Sequence, residues 1–176
     1  MNLSFLSINV RGLNDLATIH RLRIYISRLN PTPDVVLIQE HNLTGSKAVG
    51  LGRQLLPGTG YFFREAAPGY GHGASDGGAG CGGVATLISC RLAQYASNSG
   101  SLFRGRALWV TLANLPGGDF GILNIYASND ARERTQFWSR LLDGTPKLDR
   151  WLLGGDFNMV ESPADKSSAC GRLISA

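Results

Sequence analysis

A chain of 176 residues has the length of one domain and can bury roughly 70% of the surface its unfolded form would expose. With 43% hydrophobic and 17% charged residues it is excluded from wholesale disorder, and no apolar run approaches the roughly 18 residues that a membrane span needs. The formal charge of +4 rests on 14 Arg against 3 Lys, a bias compatible with a phosphate-bearing partner but too mild to establish one.

In chain order, "LSFLSINV" (residues 3 to 10) alternates as a buried strand ending at Asn9. Ile19, Leu22, Ile26 and Leu29 then recur at helical spacing behind two candidate caps, Asn14 and Asp15, and Pro31 and Pro33 close the segment. "DVVLIQEH" is a second buried strand that delivers Glu40 at its carboxyl end. A short helix over residues 46 to 56 and a short strand over Tyr61 to Arg64 follow. The glycine-dominated stretch from Pro68 to Gly83 reads as a mobile loop; it lacks the GK[ST] ending of a phosphate-binding loop. "VATLIS" is a strand, and "ALWVTLANL" and "FGILNIYAS" form an antiparallel hairpin through the turn at residues 116 to 118. Asp130 to Leu142 is a helix with Phe137 and Leu141 facing inward, and "RWLLGGDFN" is a last strand with its loop.

The amino terminus does not read as a signal peptide, and three cysteines without a CxxC pair (Cys81, Cys90 and Cys170) favour free thiols in a reducing compartment. Strands and helices, hairpins and crossovers together imply an α/β or α+β sandwich whose sheets meet face to face beneath outer helices.

Asn9, Glu40, Tyr126 and the Asp156/Asn158 pair stand at the carboxyl ends of four separate buried runs. Each has an ordinary structural explanation when taken alone. Together, residues at the ends of strands sharing a sheet edge converge on one cleft. Glu40 and Asn9 supply hard oxygen ligands of the kind magnesium takes, with manganese the alternative ion. Asp156 is suited to orient or deprotonate a water, and Asn158 and Tyr126 to donate hydrogen bonds to a phosphate whose charge is building. Arg106, Arg132 and Arg134 are weaker candidates for nucleic-acid contact; for those on the helix of the 130s, a solvated face is the favoured reading. His41 adjoins Glu40, but neighbours on a strand point to opposite faces, so only one of the two can face the cleft.

"SINVRGLND", "PDVVLIQEHNL", "GGVATLIS", "GRALWVTL", "GILNIYASND" and "WLLGGDFNMVESPADKSSACGRLI", in that order, resemble the endonuclease/exonuclease/phosphatase superfamily. Within it they are most similar to the apurinic-type endonuclease domain of plant LINE-type non-LTR retrotransposons. The resemblance implies a DNase I-like, four-layered α/β sandwich acting on DNA in the nucleus. It places Asn9 and Glu40 at the metal, Tyr126 and Asn158 on the scissile phosphate and Asp156 on the attacking water. It also implies a later aspartate, a terminal Ser-Asp-His stretch and closing strands. None of these follows within this sequence, and His20, His41 and His72 do not stand in the family's position. The expectation is therefore a domain incomplete at its C-terminus. It is either an endonuclease domain whose reverse-transcriptase partner belongs to a longer polyprotein, or a catalytically silent remnant. A phosphomonoesterase of the same superfamily is the third reading, disfavoured by the "NVRGLND" and "GGDFNMVESPADKSS" wording.

Overall fold

The computed structural model describes residues 2–43, 82–103, 105–141 and 143–159, and the backbone of 62–66. Along the chain run β1 (Phe5–Asn9), α1 (Leu16–Arg28), β2 (Val35–Gln39), β3 (Phe62–Ala66), β4 (Val84–Ile88), α2 (Cys90–Ala93), β5 (Ala96–Leu102), β6 (Ala107–Leu112), β7 (Phe120–Tyr126), α3 (Ala131–Leu141) and β8 (Trp151–Asp156). The strands form two four-stranded sheets, ordered β1-β2-β4-β3 and β5-β6-β7-β8. The pairs β1/β2 and β7/β8 are parallel, and each needs the crossover that α1 and α3 respectively provide.

The period-2 alternation of side chains sorts the sequence into layers. On β2 and β4, Val36, Ile38, Ala85 and Leu87 meet the Ile19, Leu22 and Ile26 stripe of α1. The alternate residues Val35, Leu37 and Ile88 pack instead against Val110, Leu112 and Ile122 of the second sheet. On that sheet's far side, Leu123, Ile125 and Ala107 bury Phe137 and Leu141 of α3. The order is helix, sheet, sheet, helix: the expected four-layered sandwich. Among the described residues β1 and β8 are each paired on one side only, and their side chains are less buried than those of central β2 and β4.

Asp15 is the cap of α1, its carboxylate accepting from the Thr18 N–H at 2.7 Å. Asp130 does the same for α3, accepting from the Arg132 and Glu133 N–H groups at 2.9 Å each. The strand expected from Tyr61 begins at Phe62 and runs to Ala66. Two elements escape the apolar pattern, α2 and β5. The segment "ASNSGSL" is a half-exposed outer strand without an apolar face, and it is held by pairing with β6, where Trp109 covers Gly100 so closely that a Cβ there would lie 2.6 Å from the indole. The helix expected over 46 to 56, most of the glycine loop, Cys81, Cys170 and His72 lie outside the described residues.

At the end of the first sheet remote from Asn9 and Glu40, buried Asp34 ties three elements together. Its carboxylate accepts from the Ser4 N–H at 3.0 Å, the Ser4 hydroxyl at 3.1 Å and the Ser89 hydroxyl at 3.3 Å, and it forms a bidentate ion pair with Arg91. Burial alone would raise its pKa, but the Arg91 and Ser4 hydrogen bonds outweigh that and hold it below the usual value of 3.8. A carboxylate with a depressed folded-state pKa stabilises the fold above its unfolded pKa and loses that contribution as pH falls through the folded value. Asp34→Asn is expected to cost about 1–2 kcal/mol at pH 7, the lower figure allowing for screening at the half-exposed Arg91 end. In urea titrations that deficit should narrow once the pH drops below 3.8; a deficit that persists unchanged in acid would mean that the charge contributes nothing.

Candidate active site

The inward-facing side of both sheets reaches its carboxyl end at the candidate residues. Asn9 closes β1, Glu40 follows β2, Tyr126 closes β7, and Asp156 closes β8 as the register partner of Tyr126. The two sheets are joined there by a hydrogen bond across 147 residues of sequence, from Asn9 Nδ2 to Asp156 Oδ2 at 2.7 Å. The second carboxylate oxygen, Oδ1, accepts from the Asn158 backbone N–H at 3.0 Å, so the plane of the carboxylate is fixed from two sides. Asn158 Nδ2 donates to the Ala127 carbonyl at 2.7 Å, and the Ala127 N–H donates to the Asp156 carbonyl at 2.8 Å, clipping the loops after β7 and β8 to each other.

The loops after β1 and β2 are tied in the same manner. Gly12 N–H donates to the Glu40 carbonyl at 2.7 Å and Leu13 N–H to the His41 carbonyl at 2.9 Å. Arg11, Glu40 and Asn158 all have positive φ (49°, 57° and 48°), a region that non-glycine residues seldom occupy and that clusters at functional sites. At Glu40 the turn ends the strand, so the carboxylate is delivered by the loop and its neighbour goes the other way. His41 is fully buried, its Nδ1 accepting from the Leu43 N–H at 3.1 Å, which gives it a structural part in the loop.

Tyr126 is half-buried, with the Arg106 guanidinium 5.5 Å from its ring centroid. Burial raises its pKa above the usual 10.0; the negative charges of Glu40 and Asp156 add to the rise, and Arg106 opposes it. The phenol therefore stays protonated at neutral pH and available as a donor. Gly82, at φ +94°, lets the ring lie against its loop, where a Cβ would sit 3.1 Å from Tyr126 Cε1.

A cleft of about 510 Å³ opens beside this cluster, lined by Asn9, Asp156 and Asn158 with Ser7, Gln39, Gly155, Phe157 and Met159. Its size suits a small ligand or a nucleotide-sized part of a larger one. Glu40 and Tyr126 do not line it. Of the three arginines, only Arg106 adjoins the site. Arg134 Nη1 is engaged with the Ser128 and Asn129 carbonyls at 2.9 and 2.7 Å, and Arg132 lies on the exposed first turn of α3. The sequence reading overlooked Asn42, whose Oδ1 accepts from the Gly82 N–H at 2.6 Å; its neighbours in "QEHNL" carry no signal for such a clip.

As a metal site, the donors are of the right kind. The Glu40 carboxylate and the Asn9 amide oxygen are hard ligands, and magnesium commonly takes one or two carboxylates together with waters and substrate phosphate. Asn9 Oδ1 accepts from the Arg11 N–H at 3.0 Å, which orients the amide and leaves a lone pair. Among the described residues no cluster of three or more His, Cys, Asp or Glu is present.

Comparison with known proteins agrees with this fold. In fold, the chain is similar to the AP endonuclease LMAP of Leishmania major (TM-score 0.66, 17% identity, 96% of this chain and 59% of that one). It is likewise similar to the catalytic domain of Xenopus laevis APE2 (TM-score 0.56, 18% identity, 96% and 62%). A third similar structure is D. rerio TDP2 complexed with a single-stranded DNA product (TM-score 0.56, 23% identity, 90% and 62%). The chain thus spans about three fifths of the length of these structures. No curated protein matches it. The model of the endonuclease/exonuclease/phosphatase family matches residues 6–176, nearly the whole sequence, and with the fold in agreement the chain belongs to that family.

Proposed function

We propose that the chain is a magnesium-dependent phosphodiester hydrolase that nicks DNA, of the LINE retrotransposon endonuclease type. The observation that supports this most is the Asn9 to Asp156 hydrogen bond, which joins the two sheets at the point where Glu40, Tyr126 and Asn158 also gather. On this reading Glu40, with Asn9 beside it, holds magnesium, or manganese in its place. When bound, the ion would offset negative charge on the phosphate. Asp156, its carboxylate fixed by Asn9 and Asn158, orients the attacking water and takes its proton. The protonated Tyr126 hydroxyl and the free N–H of the Asn158 side-chain amide donate to the phosphate oxygens as their charge grows. Arg106, beside Tyr126, is the arginine best placed to add a phosphate contact.

The retroelement assignment rests on "NVRGLND" and "GGDFNMVESPADKSS", and with it come DNA as the partner, a reverse-transcriptase domain in the same polyprotein and action in the nucleus. The test is nicking of supercoiled plasmid by the purified chain. Open-circular product in magnesium that vanishes in EDTA is the expected result. A folded protein that leaves the plasmid intact would favour the silent remnant, and one that instead releases phosphate from a monoester would move the assignment to a phosphatase.

A further inference from the structure

From the floor of the cleft into the sandwich interior runs a pair of buried amides that the chemistry above does not use. Asn124 of β7 is fully buried and directed at the opposite sheet. Its Nδ2 donates to the Ile38 carbonyl at 3.1 Å and the Ala85 carbonyl at 2.9 Å, and its Oδ1 accepts from Gln39 Nε2 at 2.7 Å. Gln39, itself 1% exposed, also reaches Ser7 of β1, where Nε2 lies 3.3 Å from the hydroxyl oxygen. Four strands, β1, β2, β4 and β7, are thus linked by directional bonds in a layer packed mostly with apolar side chains, with buried Thr86 of β4 at 3.5 Å from Asn124 Nδ2.

The placement of these residues gives the network its meaning. Gln39 directly precedes Glu40, Ser7 lies two residues before Asn9, and Asn124 lies two before Tyr126. Ser7 and Gln39 line the cleft itself, Gln39 as the register partner of Asn9, and at 3.3–3.4 Å per residue Asn124 sits roughly 7 Å behind Tyr126 along β7. Apolar side chains resist separation of two sheets but tolerate small slides between them, whereas a bidentate amide donor and a 2.7 Å acceptor bond fix one register. The site needs such a register because Glu40 and Asn9 come from one sheet and Tyr126 and Asp156 from the other.

We propose that Asn124 and Gln39 are positioning residues, an inter-sheet clamp that holds the two halves of the site in alignment. The role rests on the hydrolase reading for its purpose but not for its test. Replacing both residues, in Gln39→Leu/Asn124→Leu, removes the two amides together, so neither is left facing the other's vacated position; the Ile38 and Ala85 carbonyls and the Ser7 hydroxyl each lose one donor or acceptor. The measurement is the side-chain amide NMR signal of Asn9, identified by its loss in Asn9→Ser, which reports the Asn9 to Asp156 bond without any turnover. Thr111→Val, which disturbs a largely buried polar residue bonded to Asn98 on β5, serves as the control for general loosening.

The expected result is that the Asn9 signals move toward those of a free amide in the folded double variant and stay in place in the control. In plasmid nicking, kcat should fall on the order of 10²-fold with KM kept, as for a sub-ångström to ångström misplacement of reacting groups. Asn9 signals unchanged in the folded double variant would overturn the clamp. Should that variant not fold, Asn124→Leu, which leaves Gln39 in place as the register partner of Asn9, gives the same reading: movement supports the clamp and constancy overturns it. A parent protein that never nicks leaves the Asn9 measurement intact, so failure of the hydrolase reading and failure of the clamp are distinguishable.

Discussion

Asp156→Asn is expected to lower plasmid nicking by about 10²- to 10⁴-fold, the range for loss of a positioned general base, at a magnesium midpoint close to that of the parent. The substitution keeps the shape of the side chain and one acceptor oxygen. It places an NH2 group opposite a donor, either Asn9 Nδ2 or the Asn158 N–H, both of which now donate to the carboxylate. Glu40→Gln should behave differently. Its principal effect is on the ion, so the magnesium concentration for half-maximal nicking should rise, and saturating magnesium should restore part of the rate. Magnesium titrations of the two variants side by side decide the roles. If Asp156→Asn shifts the midpoint and Glu40→Gln lowers only the plateau, the assignments of base and metal ligand must be exchanged.

Much of the scaffold was legible because its cause is local. The apolar runs at residues 35–39, 84–88, 107–112 and 120–126 are strands since both their faces are covered, by a helix layer outside and the opposing sheet inside. The polar residues that end such runs drew attention to Asn9, Glu40, Tyr126 and Asp156 for the same reason. Strand β5 was illegible because its Ser, Asn and Gly residues form no apolar face; the partner strand β6 and the Trp109 ring create it. Pairing across the sandwich was equally hidden. No spacing in the sequence says that Asn9 will meet Asp156; the family resemblance anticipated a common site, and the geometry supplies the bond. The positive φ of Glu40 has no signal either, since a glutamate does not advertise a left-handed turn as a glycine does. Arg134, read as a candidate nucleic-acid contact from its place on a basic helix, turns back onto two carbonyls before its own helix begins.

The two glycines of "GGDF" should prove unequal, and their difference measures how tightly the last strand seats Asp156. At Gly155 φ is +147°, and a Cβ would lie 1.9 Å from the Ile125 carbonyl oxygen and within 2.8 Å of two further backbone atoms of the same residue. Ile125 is its register partner on β7, so no side-chain rotation can relieve the clash, and the strands must part or the backbone must leave a region that belongs almost solely to glycine. Gly155→Ala is expected to cost about 4 kcal/mol or more, lowering Tm by roughly 8–16 °C for a chain of this size. At Gly154 the nearest obstacle to a Cβ is Leu37 Cδ1 at 2.6 Å, the far end of a side chain that can turn aside. Gly154→Ala should therefore cost only about 1–2 kcal/mol, as for modest overpacking. Thermal melts of the two variants suffice to compare them. Equal losses would mean that β8 can slide on β7, and the Asp156 carboxylate, whose backbone carbonyl is held at that seam by the 2.8 Å bond from the Ala127 N–H, would then owe its position to the Asn9 and Asn158 contacts.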